Sequence, residues 1–186
     1  FCEAAGAQLV IAHVSGLNVQ DRRLVFADRP PLGFDVLSIG VGSVPTWQGV
    51  DCADSSQVVP VKPMQTFLAR LDARLHAATV ARGTAPLRIV TVGGGAGGVE
   101  VTLCLPPRLR VQFGANARFE HTIVCGDPEI LPGSTRGTVA RVTRICQRRG
   151  VEIIRSRLVT RVDGAGITLD DGARIEADVI LWATGA

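Results

Sequence analysis

The most constraining feature of this chain is a run of six small residues, Gly93-Gly94-Gly95-Ala96-Gly97-Gly98, directly after the apolar stretch Leu87 to Val92 (LRIVTV). A β-branched apolar run of this kind suits a central parallel strand buried on both faces. The turn has the spacing Gly93-x-Gly95-x-x-Gly98, and Val99, Val101 and Leu103 continue it as a helical run. In a strand–turn–helix of this design each glycine has a task. Gly93 permits the tight turn, Gly95 lets the backbone approach a pyrophosphate, and Gly98 lets the helix lie close to the strand. A helix starting near Ala96 would offer unpaired N–H groups and the positive end of its dipole to phosphates. A second strand, Phe119 to Cys125, follows at the distance a βαβ unit requires. Residues 86–186 are therefore expected to form a dinucleotide-binding domain of α/β, Rossmann type.

The rest of that unit is less regular. Pro106-Pro107 predicts a break or kink in the first helix, because proline removes a donor and clashes with the preceding turn. The second strand of such a fold ordinarily ends in an acid that binds the adenosine ribose of NAD. Here it runs out at Cys125-Gly126-Asp127. Asp127 lies two residues beyond the expected position and equally opens an Asp-Pro turn. Arg136 nearby would instead admit the additional phosphate of NADP; NAD is preferred. A helix is expected over 134–149, with Val139, Val142, Ile145 and Cys146 inward and its arginines forming a solvated face.

A long repeat surrounds this unit. Asp35 to Gly42 reads DVLSIGVG and Asp178 to Gly185 reads DVILWATG, 143 positions apart. Upstream, the stretch 6–10 resembles 150–154. Between the members of each pair lie short strand-like runs; in the second copy Ile167-Thr168-Leu169 and Arg174-Ile175-Glu176 flank an Asp171-Gly172 turn, a strong hairpin signal. Each copy reads as a strand, a small antiparallel meander, and a buried apolar strand ending in a small-residue loop. Trp47 to Pro63, rich in Gly, Pro, Asp and Ser, is expected to be an exposed connection. A helix should follow over 65–78, with apolar Phe67, Leu68, Leu71, Leu75 and Ala78 at helical spacing.

Composition narrows the function classes. The formal charge is only +3, and Lys62 is the one lysine among 20 basic residues, which does not suggest nucleic-acid binding. No apolar run approaches the length of a membrane span. The five cysteines include no CxxC pair, so neither a zinc ribbon nor a redox dithiol is encoded here; mostly buried, reduced thiols are expected. His13, His76 and His121 match no catalytic arrangement. Lys62 is expected at the surface and Trp182 in the core. The chain begins at Phe1 and its only methionine is Met64, so it is expected to be a fragment.

The stretches VGGGAGGVE (92–100), LWATGA (181–186) and LSIGVGSVP (37–45), together with VVPVKPMQTFLARL (58–71) and Ile130-Leu131-Pro132-Gly133, resemble the pyridine nucleotide-disulfide oxidoreductase superfamily. Within it they look like the NADH dehydrogenase-like flavoproteins often fused to selenide, water dikinase. The resemblance implies a glutathione-reductase-like, three-layer FAD/NAD(P)-binding architecture, with an NAD domain inserted into an FAD domain. Residues 1–50 would then be a partial FAD-binding domain, 51–85 a connection and helix, and 86–186 the NAD(P)-binding domain. The flavin domain's own glycine motif would lie before Phe1 and its closing motif after Ala186. Glu100 takes the position whose carboxylate approaches the nicotinamide carboxamide, and it is also expected in the helix's first turn. Thr184 and Gly185 should contact the cofactor; Gly42, Ser43 and Pro45 would lie near FAD in the intact protein.

The implied activity is hydride transfer from NADH or NADPH to FAD, then reduction of a quinone or other acceptor, with the isolated fragment inactive. The implied location is cytoplasmic, or peripheral to a membrane in the intact protein. Two other readings remain open: a non-catalytic NAD(H)-binding or sensing module, and an S-adenosylmethionine-dependent methyltransferase, which also places a glycine-rich loop after its first strand.

Overall fold

The structure is a computed structural model, and it describes residues 2–43, 45, 47 and 49–185. Ala186 of the terminal motif and Val44 of LSIGVGSVP lie outside the described residues. The chain divides into two compact units, residues 1–41 and 42–186.

The first unit holds an antiparallel meander: β1 (Val14–Asn18), β2 (Arg23–Phe26) and β3 (Leu32–Gly33). The apolar stretch 35–42 was expected to be a buried strand, and the structure corrects this. It pairs with no strand among the described residues, and Val36, Ile39 and Val41 stand 90%, 65% and 89% exposed. Residues 7–13 likewise form no strand, with Leu9 and Ile11 exposed. A strand's N–H and C=O groups need partners, and without a neighbouring strand they turn to water.

The second unit begins with β4 (Asp51–Cys52), β5 (Val58–Pro60), α1 (Met64–Arg82), β6 (Leu87–Val92) and α2 (Ala96–Phe113). It continues through β7 (Phe119–Val124), α3 (Arg136–Arg148), β8 (Val151–Ile154), β9 (Val159–Asp163), β10 (Gly166–Leu169), β11 (Arg174–Glu176) and β12 (Val179–Trp182). The five-stranded parallel sheet has the order β5-β12-β6-β7-β8. The helices pack on one face of it, through Leu71, Leu75, Leu105, Leu109, Val142 and Cys146. Against the other face lies the sheet β11-β10-β9-β4, through Val162, Ile167 and Leu169. These are the three layers of the expected Rossmann-type domain with its meander. The Asp171-Gly172 hairpin forms where the sequence puts it.

The segment expected to be an exposed connection is partly structural. β5 is an edge strand of the parallel sheet, Val59 and Val61 are buried, and Trp47 stacks on Trp182 at 4.2 Å between ring centroids. α1 runs one turn longer than its apolar spacing suggests; it buries Phe67, Leu71, Leu75 and Ala78 but leaves Leu68 exposed.

Nor do Pro106 and Pro107 end α2, which is assigned as helix through Phe113. A proline at position 107 leaves the carbonyl of Leu103 without its helical donor. Arg149 Nη1, from the end of α3, donates to that oxygen at 2.8 Å. The loss is thus made good from outside the helix, and Leu105 and Leu109 stay buried against the sheet.

Asp178 ties the base of the sheet together. Its carboxylate accepts from the Arg88 backbone N–H at 2.8 Å and from the Arg88 guanidinium at 3.1–3.3 Å, with Arg82 also 3.3 Å away. Its backbone carbonyl accepts two bonds from Arg74 of α1. Burial opposes the charge on Asp178, but the hydrogen bonds and positive charge of Arg88 outweigh it and hold its pKa below the ordinary aspartate value.

Candidate functional site

The glycine turn is shaped by three close approaches. Gly93 sits at φ 120°, and a Cβ there would lie 2.7 Å from the Ala183 carbonyl oxygen. A Cβ on Gly94 would meet the Cys125 side chain, and one on Gly98 would collide with the Gly93 carbonyl. At Gly93 and Gly98 backbone crosses at contact distance, and at Gly94 the buried Cys125 side chain fills the space a Cβ would take. Gly95 and Gly97 are different: nothing lies within 4 Å of an added Cβ at either. Glycine there leaves open space on the outer side of the turn, beside the first turn of α2.

That helix end is unsatisfied by design. Gly95 is the N-cap without a side-chain cap, and the first helical bond is Val99 N–H to the Gly95 carbonyl at 3.1 Å. The amides of Ala96, Gly97 and Gly98 precede it and point out of the helix end, where the dipole is positive. Anions bind well at such an end. Glu100 is the fifth residue of α2, exposed, and so one step beyond the first turn in which it was expected.

At the end of β7, Cys125 occupies the place where the ribose-binding acid was sought. It is 1% exposed, and its Sγ lies 3.4 Å from the Glu129 carbonyl oxygen. Burial pushes its thiol pKa up. This group is neutral and turned inward. Asp127 is exposed, and its backbone carbonyl accepts from Ser156 N–H at 3.1 Å. Its own side chain makes no hydrogen bond among the described residues, so the structure attaches it neither to the turn nor to a site. Only Cys125 and Cys146 are buried; Cys52 and Cys104 are exposed and Cys2 is half-buried. The expectation of mostly buried thiols thus holds for two of the five.

Two cavities flank the end of β12. One, of about 310 Å³, lies between Gly93, Gly126, Leu158 and Val50 and reaches Trp182 and Thr184. The other, of about 140 Å³, lies between Pro45, Lys62, Gly97 and Gly185 and is lined by the same Trp182 and Thr184. Trp182 is 2% exposed, core packing as expected, but it also forms a wall shared by both spaces. Gly185, at φ 53°, and Thr184 continue the strand into a loop at this edge, the edge where open α/β sheets take ligands.

Lys62 is half-buried rather than at the surface, and its ammonium donates to the Ser43 hydroxyl. Sequence reasoning missed it as a site residue; its being the only lysine, beside a proline, was the one available signal. Leu158, whose methyl packs over Gly126, carried no sequence signal at all. Of the other expected residues, Gly93 to Gly98, Cys125, Thr184 and Gly185 converge on this edge. Ser43 and Pro45 lie beside Lys62, while Gly42, at φ 71°, has open space around it.

A three-layer domain with a glycine turn at the mouth of a parallel sheet defines the class: a dinucleotide-fold domain carrying a β-meander. Residues 9–186 match the family model described as pyridine nucleotide-disulphide oxidoreductase, and the chain belongs to that family. An NADH dehydrogenase-like protein of Mycobacterium tuberculosis is 26% identical over 194 residues, covering 97% of this chain and 46% of that protein. The chain thus spans about half the length of this curated relative. The fold is shared with the sulfide:quinone oxidoreductase of Aquifex aeolicus (TM-score 0.75, 13% identity, 97% of this chain and 43% of that one). It is shared too with NDH2 of Plasmodium falciparum in complex with NADH (TM-score 0.69, 17% identity, 94% and 40%). The methyltransferase reading is set aside by the family match.

Proposed function

We propose that residues 86–186, with β5 and α1 completing the sheet, are the nicotinamide-dinucleotide-binding part of an FAD-dependent NAD(P)H oxidoreductase. On this reading residues 1–50 belong to the flavin side and 51–85 join the two. The observation that carries it is the split among the glycines. Gly93, Gly94 and Gly98 are needed by the fold, whereas Gly95 and Gly97 leave space that the fold does not use. Backbone amides at the N-terminus of α2 face that space, and a pyrophosphate fits both the room and the charge.

In this arrangement the turn and the helix end hold the phosphates. Leu158 and Gly126 bound the space toward the adenosine end, and Trp182 and Thr184 bound it toward the nicotinamide end. Thr184 also lines the second cavity, beside Lys62, Gly97 and Pro45. That is where a flavin would approach, with Lys62 placing a positive charge at its edge. When bound, FAD would accept a hydride from the reduced nicotinamide and pass electrons to an acceptor such as a quinone. This chain's part is to position and to exclude water; no side-chain nucleophile is required. Glu100 is proposed to orient the nicotinamide carboxamide from the second turn of α2.

NADH is the proposed nucleotide, with the adenosine ribose held without a carboxylate at the Cys125 position. The competing reading, a binding or sensing module without turnover, uses the same site. Both are tested by titrating the chain with NADH and with NADPH while following quenching of Trp182 and Trp47 fluorescence. NADH should bind, and Gly95→Ala should weaken it by about tenfold or more, because its methyl enters the open space without touching the protein. Failure of both nucleotides to bind, or indifference to Gly95→Ala, would overturn the assignment. Reduction of an artificial acceptor by the flavin-loaded full-length protein then separates enzyme from sensor.

A further inference from the structure

A second concave site lies at the opposite edge of the parallel sheet. The cavity has a volume of about 670 Å³ and opens between the C-terminal parts of α2 and α3. Its floor is the start of β7, with Phe119 and His121. The six residues of β7 separate it from the glycine turn, roughly 17–20 Å along a strand. It is therefore not part of the dinucleotide site.

Four arginines line this cavity, Arg110, Arg118, Arg148 and Arg149, against one acid, Glu120. None of the four forms an ion pair among the described residues. Arg110 lies over the Phe119 ring at 5.6 Å, and Arg149 gives one N–H to Leu103. Beneath them His121 is 5% exposed, and its Nε2 is buried without a hydrogen-bond partner. Burial lowers its pKa to about 4, so the ring is neutral at physiological pH and offers both a donor and an acceptor. A buried polar atom left unpaired costs stability and calls for an explanation. Arg110 and Arg148 stand near helix C-termini, where a cation also answers the dipole. That account reaches neither Arg118, on the loop before β7, nor the orphaned nitrogen of His121.

We propose that this cavity is a second anion site, built for the phosphate groups of a polyphosphorylated small molecule of nucleotide size. Guanidinium forks match phosphate oxygens in pairs, and several unpaired arginines call for a multiply charged group. The volume falls within the range of small-molecule sites. Pro106, Pro107 and Phe119 supply an apolar wall for the organic part. The site does not depend on the reading of the glycine turn.

The test follows the imidazole resonances of His121 by NMR while the full chain is titrated with sodium pyrophosphate and, separately, with ADP. Both should shift His121 saturably, ADP more tightly. Arg110→Gln together with Arg148→Gln, at two exposed positions, should leave the far-ultraviolet circular dichroism intact and weaken the effect by about tenfold or more, a loss of one or more Kd decades. Gly95→Ala should leave the His121 response unchanged, because it alters only the other edge. No shift of His121 at about 10 mM pyrophosphate, weaker than any specific site of this charge would bind, overturns the proposal. So does a shift indifferent to the arginine substitutions, or one abolished by Gly95→Ala.

Discussion

The stretches 35–42 and 178–185 have nearly the same pattern of residues and opposite fates. Val179, Ile180, Leu181 and Trp182 are 0–2% exposed in an interior strand of a five-stranded sheet, whereas Val36, Ile39 and Val41 are 65–90% exposed and belong to no strand. The difference is in the neighbours. β12 is bonded to β6 on one side and β5 on the other, and Asp178 at its start is fixed by Arg88. Among the described residues the first copy has only the meander β1–β3 ahead of it. An apolar strand pattern states a preference, and only flanking strands and a covering layer turn it into structure.

The largest contrast should come from the apolar side chains themselves. Ile180→Ala should destabilise the chain by about 2–5 kcal/mol through lost burial and a cavity, while Val36→Ala should stay within about 0.5 kcal/mol. Urea unfolding followed by circular dichroism measures both, and equal effects would break the comparison.

The leading aspartates come next. Asp178→Asn should cost about 2–3 kcal/mol, since charge-assisted bonds to Arg88 are lost, and Asp35→Asn should cost almost nothing. The folded pKa of Asp178 is depressed, so its contribution is present above the unfolded value of about 3.9 and disappears as pH falls through the lower folded value. Acid unfolding of the wild type should include this component, and Asp178→Asn should lack it.

Glycines give a smaller and sharper contrast. Gly98→Ala drives a methyl into the Gly93 carbonyl and should cost about 1–3 kcal/mol, visible as a lower thermal midpoint. Gly40→Ala meets nothing within 4 Å and should leave the midpoint in place.

The smallest effect concerns the unit that only the second copy has ahead of it. Arg149→Met removes the donor to the Leu103 carbonyl left open by Pro107 and should cost about 1 kcal/mol. Faster amide exchange should be confined to the C-terminal half of α2. Exchange unchanged there would mean that water serves the carbonyl equally well.

Much of the second unit was legible because its signals are local and agree with one another. The run Leu87 to Val92, the spacing of Gly93, Gly95 and Gly98, the Asp171-Gly172 turn and the apolar period of α1 each prescribe a backbone conformation from nearby residues alone. The errors arose where a distant group decides. Pro107 is a helix breaker by sequence, yet Arg149, more than 40 residues away, donates to the Leu103 carbonyl it leaves open. Trp47 looked like part of a polar connection and is held by stacking on Trp182. Lys62 looked like a surface cation and is drawn inward to Ser43.

The sequence by itself determined that a parallel α/β unit opens at Leu87 and turns on glycine, because turn chemistry and strand patterning act over a few residues. It also determined that the chain carries the pattern twice. Tertiary structure alone decided which copy becomes a strand, which glycines hold the fold and which leave open space beside the turn. It also decided that Cys125 turns inward and that His121 is buried beneath four arginines. Each of those outcomes depends on what stands across a gap of a few ångströms, and sequence distance does not encode that separation.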